Sequence, residues 1–347
     1  LQVVLRDDGV YCAGPLTTGA KDSYDGEHLS SLPTRRACTR ATGSLDSIFY
    51  RTTGGTVRVD VAANTAHHIA PMRPPCQDGV IISDGLLFWG PWMCGCQLSL
   101  YGHICLGPAD LSPVATPTPE PQRQVYVDQK DLLQPLPAQP AEWPTYQRDN
   151  QRSSFVRCSI PSVMKPSWQQ QIVVDALPTA PIVAGGTVFV ADRRGLVHSL
   201  DGQGGTNWVF RTGGPVYYPP SIENGRLFVG SADGHIYALE AATGRLLWTY
   251  RLAPSARRIP VYGTLISTWP VAAGVVVQDG VVYSAAGIAH YDGTYVVALA
   301  AADGQVIWNN DTAGSIAPSV NCGVSLQGPL QVRGDELQFL GGGAYPV

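Results

Sequence analysis

The feature that most constrains this chain is an internal repeat. Gly225-Arg-Leu-Phe-Val-Gly-Ser-Ala-Asp-Gly234-His-Ile-Tyr-Ala-Leu239 runs on into Glu-Ala-Ala-Thr-Gly244-Arg-Leu-Leu-Trp248. An earlier copy has Gly186-Thr-Val-Phe-Val, Gly195-Leu-Val-His-Ser-Leu200, Gly204 and Trp208. A later one has Gly280-Val-Val-Tyr-Ser, Tyr295-Val-Val-Ala-Leu299, Gly304 and Trp308. In all three the glycine precedes the tryptophan by four positions. Apolar, β-branched runs of four or five residues read as strands. The Asp-Gly and Thr-Gly pairs between them supply the positive φ of tight hairpins. Such a unit is a small antiparallel sheet that buries its faces only against copies of itself. A period of about 40–50 residues with this content predicts propeller blades. The recurring Trp208, Trp248 and Trp308, with Gly204, Gly244 and Gly304, are expected to dock one blade on the next.

Composition agrees. The 38 glycines and 28 prolines among 347 residues argue against a helical bundle, since both residues damage helix interiors. The net charge of −4 gives no nucleic-acid signature, and no apolar run is long enough to span a membrane. The expected fold is all-β. It is a β-propeller of four-stranded antiparallel blades, with about six blades or part-blades in this chain. Degenerate copies begin at Asp8-Gly9, Gly55, Asp84-Gly85 and Gly334. Both ends of the chain look like the same phase of a blade. Flanking sequence or another chain is therefore expected to complete a ring of seven or eight blades.

Three regions follow. Residues 1–107 hold cysteine-rich strands, residues 108–144 carry nine prolines and read as a linker or surface crossing, and residues 145–347 hold the regular repeats. Eight cysteines fit a disulfide framework in an oxidising compartment. The expected location is therefore extracytoplasmic: periplasmic, cell-surface or secreted.

The Ala-x-x-x-x-Gly-x-x-x-Trp element resembles the PQQ-binding-like, quinoprotein-type (BamB-like) β-propeller repeat. Trp143-Pro-Thr-Tyr-Gln-Arg-Asp-Asn-Gln-Arg-Ser153 is similar to an opening found in secreted bacterial members. Arg258-Ile-Pro-Val-Tyr-Gly-Thr-Leu-Ile-Ser-Thr-Trp-Pro-Val271 resembles a blade of large planctomycete-type members. So do Cys38, Cys76 and Cys94-Gly-Cys96, which become the disulfide candidates. The resemblance implies the fold more than an activity, because such propellers include dehydrogenases and assembly scaffolds. For the dehydrogenases it implies PQQ with Ca²⁺. The adjacent-cysteine pair of those enzymes is absent here, and their metal ligands cannot be placed.

Cys94, Cys96, His103 and Cys105 form the sharpest local cluster. If segments 92–97 and 101–106 pair as a hairpin, three thiolates and an imidazole converge, a set suited to Zn²⁺ or Cu⁺. Disulfides are the preferred alternative. His67-His68 point to opposite faces of a strand and read as surface residues. Arg193-Arg194 and Arg257-Arg258 lie in loops and read as solvated charges; the alternative is that they line one mouth of a propeller and attract an anionic ligand. Tyr217-Tyr218 and Trp269-Pro270 offer a stacking platform or inter-blade packing. No catalytic set is assignable. The expected function is a non-catalytic binding or scaffold module for a protein or polysaccharide partner. The alternatives are a quinoprotein-type oxidoreductase and a structural subunit of a larger extracellular assembly.

Overall fold

Two-residue turns organise the sheets. Gly185-Gly186, Asn224-Gly225 and Asp279-Gly280 have φ of 59° and 73°, 50° and 74°, and 52° and 77°. Positive φ at both central positions is the type I′ signature, whose twist matches that of the strands it joins. The computed structural model describes residues 2–13, 19–35, 39–52, 55–70, 74, 77–90, 103–108, 121–127, 133–137, 139, 141–172, 176–261, 263–288, 293–311, 325–326, 328–338 and 341–342. Among these every regular element is a β-strand, and no helix is long and apolar enough to cross a membrane. The protein is all-β, built of four-stranded antiparallel propeller blades.

The chain divides into two compact units. The second comprises Pro119–Arg258 and Leu265–Val347. Among the described residues it contains three complete blades in chain order. The Trp208 blade is Ile182–Ala184, Thr187–Ala191, Leu196–Leu200 and Thr206–Arg211. The Trp248 blade is Ser221–Glu223, Arg226–Gly230, His235–Glu240 and Leu246–Arg251. The Trp308 blade is Val275–Gln278, Val281–Ala286, Tyr295–Ala300 and Val306–Asn310. Two short strands, Gln331–Arg333 and Glu336–Gln338, follow as a part-blade.

Period-two alternation decides which blade faces meet. In the Trp248 blade, Leu227, Val229 and Leu239 pack with Ile182, Phe189 and Val197 of the Trp208 blade. Phe228, Ile236, Ala238 and Trp248 face the other way and pack with Val275, Val282 and Val297 of the Trp308 blade. Both faces of this sheet are therefore buried. On the far side of the Trp308 blade, Val276, Ala285 and Val296 are covered by Leu326, Leu330 and Val332.

The first unit is Leu1–Thr118 with Ile259–Thr264. Its sheets are Gln2–Arg6, Gly9–Ala13, Gly19–Asp22 and His28–Leu32; Thr42–Gly43, Ser47–Thr52, Gly55–Asp60 and Thr65–Ala70; and Ile81–Ser83, Leu86–Trp89 and Ile104–Leu106. Tyr11, Leu32, Ile48, Tyr50, Val57 and Val59 form one core. Trp89 is fully buried and donates from Nε1 to Thr56 Oγ1 at 3.1 Å.

The proline-rich region departs from expectation in one respect. Arg123–Val125 is a fifth strand on the outer edge of the Trp248 blade, with Gln124 opposite Thr249. The six residues Gln122–Val127 carry no proline, so the ladder remains possible between proline clusters.

Candidate functional site

The repeated tryptophans explain how the blades register. A bulge between Ser199 and Leu200, Ala238 and Leu239, and Ala298 and Leu299 precedes each tryptophan pair on the facing strand. Trp208 packs on Phe189 at 5.9 Å between ring centroids, Trp248 on Phe228 at 5.8 Å, and Trp308 on Tyr283 at 6.4 Å. The first two of these indoles then reach the glycine turn of the following repeat. Trp208 Nε1 donates to Ala241 O at 3.1 Å, and a Cβ on Gly244 would lie 2.7 Å from its ring. Trp248 Nε1 donates to Ala301 O at 3.1 Å, and a Cβ on Gly304 would lie 2.7 Å from its ring. Trp168, which the sequence reading passed over, does the same at the start of the series. It donates to Gly202 O at 3.0 Å and stacks on Gly204. The signal was present, since Trp168, Trp208 and Trp248 are evenly spaced by 40 residues.

Trp308 breaks the pattern. Its strand, Val306–Asn310, is exposed along its whole length, with Val306 at 42%, Ile307 at 54% and Trp308 at 41%. Among the described residues, Leu326, Leu330 and Val332 pack against Val276, Ala285 and Val296 of this blade.

The second notable construction is the segment 143–153. Trp143 exchanges both backbone hydrogen bonds with Val183, at 2.9 and 2.8 Å. Pro144 O accepts from Ile222 N–H at 2.9 Å. Asn150 Nδ2 donates to Val277 O at 2.7 Å, and Asn150 O accepts from Val332 N–H at 2.8 Å. The segment thus straps together the first strands of all three blades and of the part-blade. Arg152 anchors it. Its guanidinium donates to Leu330 O at 2.9 Å, Tyr146 O at 2.6 Å and Thr145 Oγ1 at 3.2 Å. Burial pulls this group down to about 10, so it stays charged at neutral pH. At Asp149, burial opposes ionisation, but hydrogen bonds from Ser153 and the nearby Arg148 outweigh it and hold the carboxyl below its ordinary range. Four non-glycine residues here have left-handed backbone: Gln147 (φ 53°), Arg148 (80°), Arg152 (60°) and Ser154 (52°). Beside the strap opens a cleft of about 710 Å³ lined by Tyr146, Gln147, Arg152, Pro329, Gln331, Leu337 and Gln338.

The cleft lining holds no carboxylate among the described residues. Among the described residues no group of three or more His, Cys, Asp or Glu is placed to hold a metal ion. Calcium takes several oxygen ligands, usually carboxylates among them. The described lining of the cleft therefore offers no carboxylate ligand for Ca²⁺.

Other sequence candidates are dispersed. His103 and Cys105 are exposed, and Ile104–Leu106 pairs with Leu86–Trp89, setting Cys105 opposite Phe88. Cys38, Cys76, Cys94 and Cys96 lie outside the described residues, as does the segment 92–97. Cys12, Cys105 and Cys158 carry unpaired thiols. His67 and His68 are both exposed. The arginine pairs meet the aromatic pairs: Arg193 lies 4.2 Å from the Tyr217 ring centroid, and Arg257 lies 4.7 Å from that of Trp269.

Comparison with known proteins gives the following. Residues 165–268 match the family model described as outer membrane protein assembly factor BamB. The chain is 27% identical over 153 residues to the protein of that name from Yersinia pestis, covering 42% of this chain and 36% of the relative. It is 28% identical over 163 residues to the Burkholderia pseudomallei protein, covering 42% and 39%. The chain thus spans little more than a third of the curated relatives it matches. Among solved structures, quinohemoprotein alcohol dehydrogenase ADHIIG from Pseudomonas putida aligns with a TM-score of 0.43 at 20% identity, covering 50% of this chain and 27% of that one. BamB from Moraxella catarrhalis aligns with a TM-score of 0.33 at 15% identity, covering 97% and 68%.

Proposed function

We propose, from the premise that residues 165–268 carry a BamB-type propeller repeat, that this protein is an extracytoplasmic, non-catalytic scaffold for a protein partner. One observation carries the reading. Three indoles in series are each seated on a glycine turn, while Trp308 stands 41% exposed on an exposed outer strand. The occupant that fits this edge is a β-hairpin whose turn glycine has left-handed backbone, the element the other three indoles engage. A partner supplying that hairpin would complete the part-blade by strand addition. The description of the relatives as outer membrane assembly factors supports both a protein partner and a location outside the cytoplasm.

The test is co-purification from the producing cells. Exposed tryptophans at interface centres commonly contribute 2 kcal/mol or more, so Trp308→Ala should reduce partner recovery by roughly thirtyfold. Leu45→Ala, at an exposed site in the other unit, should leave recovery unchanged. Equal recovery from wild type and Trp308→Ala would reject the reading. Dye-linked alcohol oxidation on adding PQQ and Ca²⁺ would replace it with the quinoprotein one.

A further inference from the structure

We propose that the cleft beside the 143–153 strap is a binding site for a neutral saccharide. The cavity, about 710 Å³, is of the size that holds small ligands. Its polar lining is three glutamine amides, a phenol and one guanidinium. The guanidinium is already committed to the carbonyls of Leu330 and Tyr146, so it serves the strap. Gln331 Nε2 donates to Gln338 Oε1 at 2.9 Å, and Gln338 Nε2 to Glu336 at 2.8 Å. The lining thus keeps amide and phenol groups that both donate and accept, matched to sugar hydroxyls, which do the same. Pro329, Leu337 and the Tyr146 ring supply apolar surface for the C–H faces of a pyranose. Among the described residues no carboxylate lines the cleft to attract a cation.

The backbone points the same way. Gln147 and Arg148 sit consecutively in left-handed conformation, where side chains are costly and glycine is not. Strain of this kind persists where the surroundings impose it, and it concentrates at binding sites. Here it delivers the Gln147 side chain to the cleft wall. A peptide fits less well. Gln331–Arg333, beside the cleft, pairs with Glu336–Gln338 on one side and gives Val332 N–H to Asn150 on the other. That strand is thus paired on one side and tied to the strap on the other, although Glu336–Gln338 keeps an outer edge.

The experiment is calorimetric titration of the full chain with neutral hexasaccharides: β-1,4-glucan, β-1,4-mannan, α-1,4-glucan and chitohexaose. At least one should bind 1:1 in the roughly micromolar-to-millimolar range, equally at low and high salt. Gln147→Gly should weaken binding at least about tenfold while raising Tm by about 2–4 °C, because it removes both the amide and the strain. Gln338→Ala, which loses only two exposed or half-buried hydrogen bonds on a surface hairpin, should weaken binding with at most a small fall in Tm. Trp308→Ala should leave sugar binding intact, which separates this site from the partner edge. Binding of none of the four sugars, binding of a mixed hexapeptide pool instead, or undiminished binding by both glutamine variants would overturn the proposal.

Discussion

At the scale of single residues, the fold rests on glycines that do two different jobs. Gly244 has φ 74° and sits under the Trp208 ring, where an added Cβ would approach within 2.7 Å. Gly280 has nearly the same φ, 77°, but an added Cβ there meets nothing within 4 Å. Gly280→Ala should therefore cost only the left-handed penalty, about 1–2 kcal/mol. Gly244→Ala adds an overpacking cost of about 1–3 kcal/mol, since the fixed indole cannot retreat without losing its bond to Ala241 O. Urea denaturation of the two variants checks this, and equal losses would mean that the indole contact contributes nothing. Gly244 and the tryptophans stood out in the sequence by spacing, and Gly280 by its place at the start of a repeat. What spacing did not reveal is that an indole meets the glycine of the next repeat, 36 positions on for Trp208 and 56 for Trp248, because that depends on how one sheet lies over another. Trp168 was missed for a related reason: its own segment has no strand pattern, so only the interval of 40 marks it.

At the scale of elements, the blades were legible because their turn pairs and alternating apolar residues are local signals. The fifth strand was not, because Arg123–Val125 is short and lies among prolines, and its ladder partner Thr249 is distant in sequence. It is held at both ends. Tyr126 N–H donates to Leu247 O at 2.9 Å, Arg251 N–H to Gln122 O at 2.7 Å, and Arg123 Nη1 to Asp303 O at 2.8 Å. Being an edge strand, it should open without unfolding the blade beneath. Tyr126→Pro removes one ladder donor, worth about 1 kcal/mol, and the ring disturbs the bonds on either side. Tryptic cleavage after Arg123 should then accelerate about tenfold while Tm barely moves. Unchanged cleavage would show that the strand is not held by this ladder. Gln134, farther along the same region, donates its N–H to Glu240, whose carboxylate also takes Thr243 Oγ1 and Arg245 Nε. The proline-rich region is therefore stitched to the Trp248 blade at two places, which composition alone did not suggest.

For the whole molecule, acid should be the sensitive axis. In the first unit, burial opposes ionisation of Asp8, but Lys21, Tyr11 and Arg6 hold its carboxyl far below the usual range. In the second, burial likewise opposes ionisation of Asp233 and Glu240. Bonds from His235 and Tyr237, and from Thr243, Gln134 and Arg245, outweigh it. Folded values below the ordinary 3.8 and 4.5 mean that the folded state favours the charged form. That stability is complete above about pH 5 and is lost as the pH falls through the lowered folded values. The urea midpoint should hold from pH 7 to about 5 and drop by pH 3, and a flat profile would contradict the linkage. The strap sets a second axis, and its sequence motif carried no hint of this role because it has no period and no regular secondary structure. Its partners are first strands spread from Val183 to Val332, so only the assembled blades give it meaning. Arg152 holds the last of these joints, with Nε and Nη2 both on Leu330 O, and Leu330 is fully buried. Arg152→Lys keeps the charge but loses the planar fork, leaving that carbonyl poorly satisfied at a cost of about 1–3 kcal/mol. The loss should be local. Amide exchange across 328–338 should quicken about tenfold or more, whereas Phe228 and Ile236 in the Trp248 blade, packed on both sides, should exchange as before. If 328–338 keeps its protection, the part-blade is held by Leu330 and Val332 packing against the Trp308 blade, and the strap is a passenger.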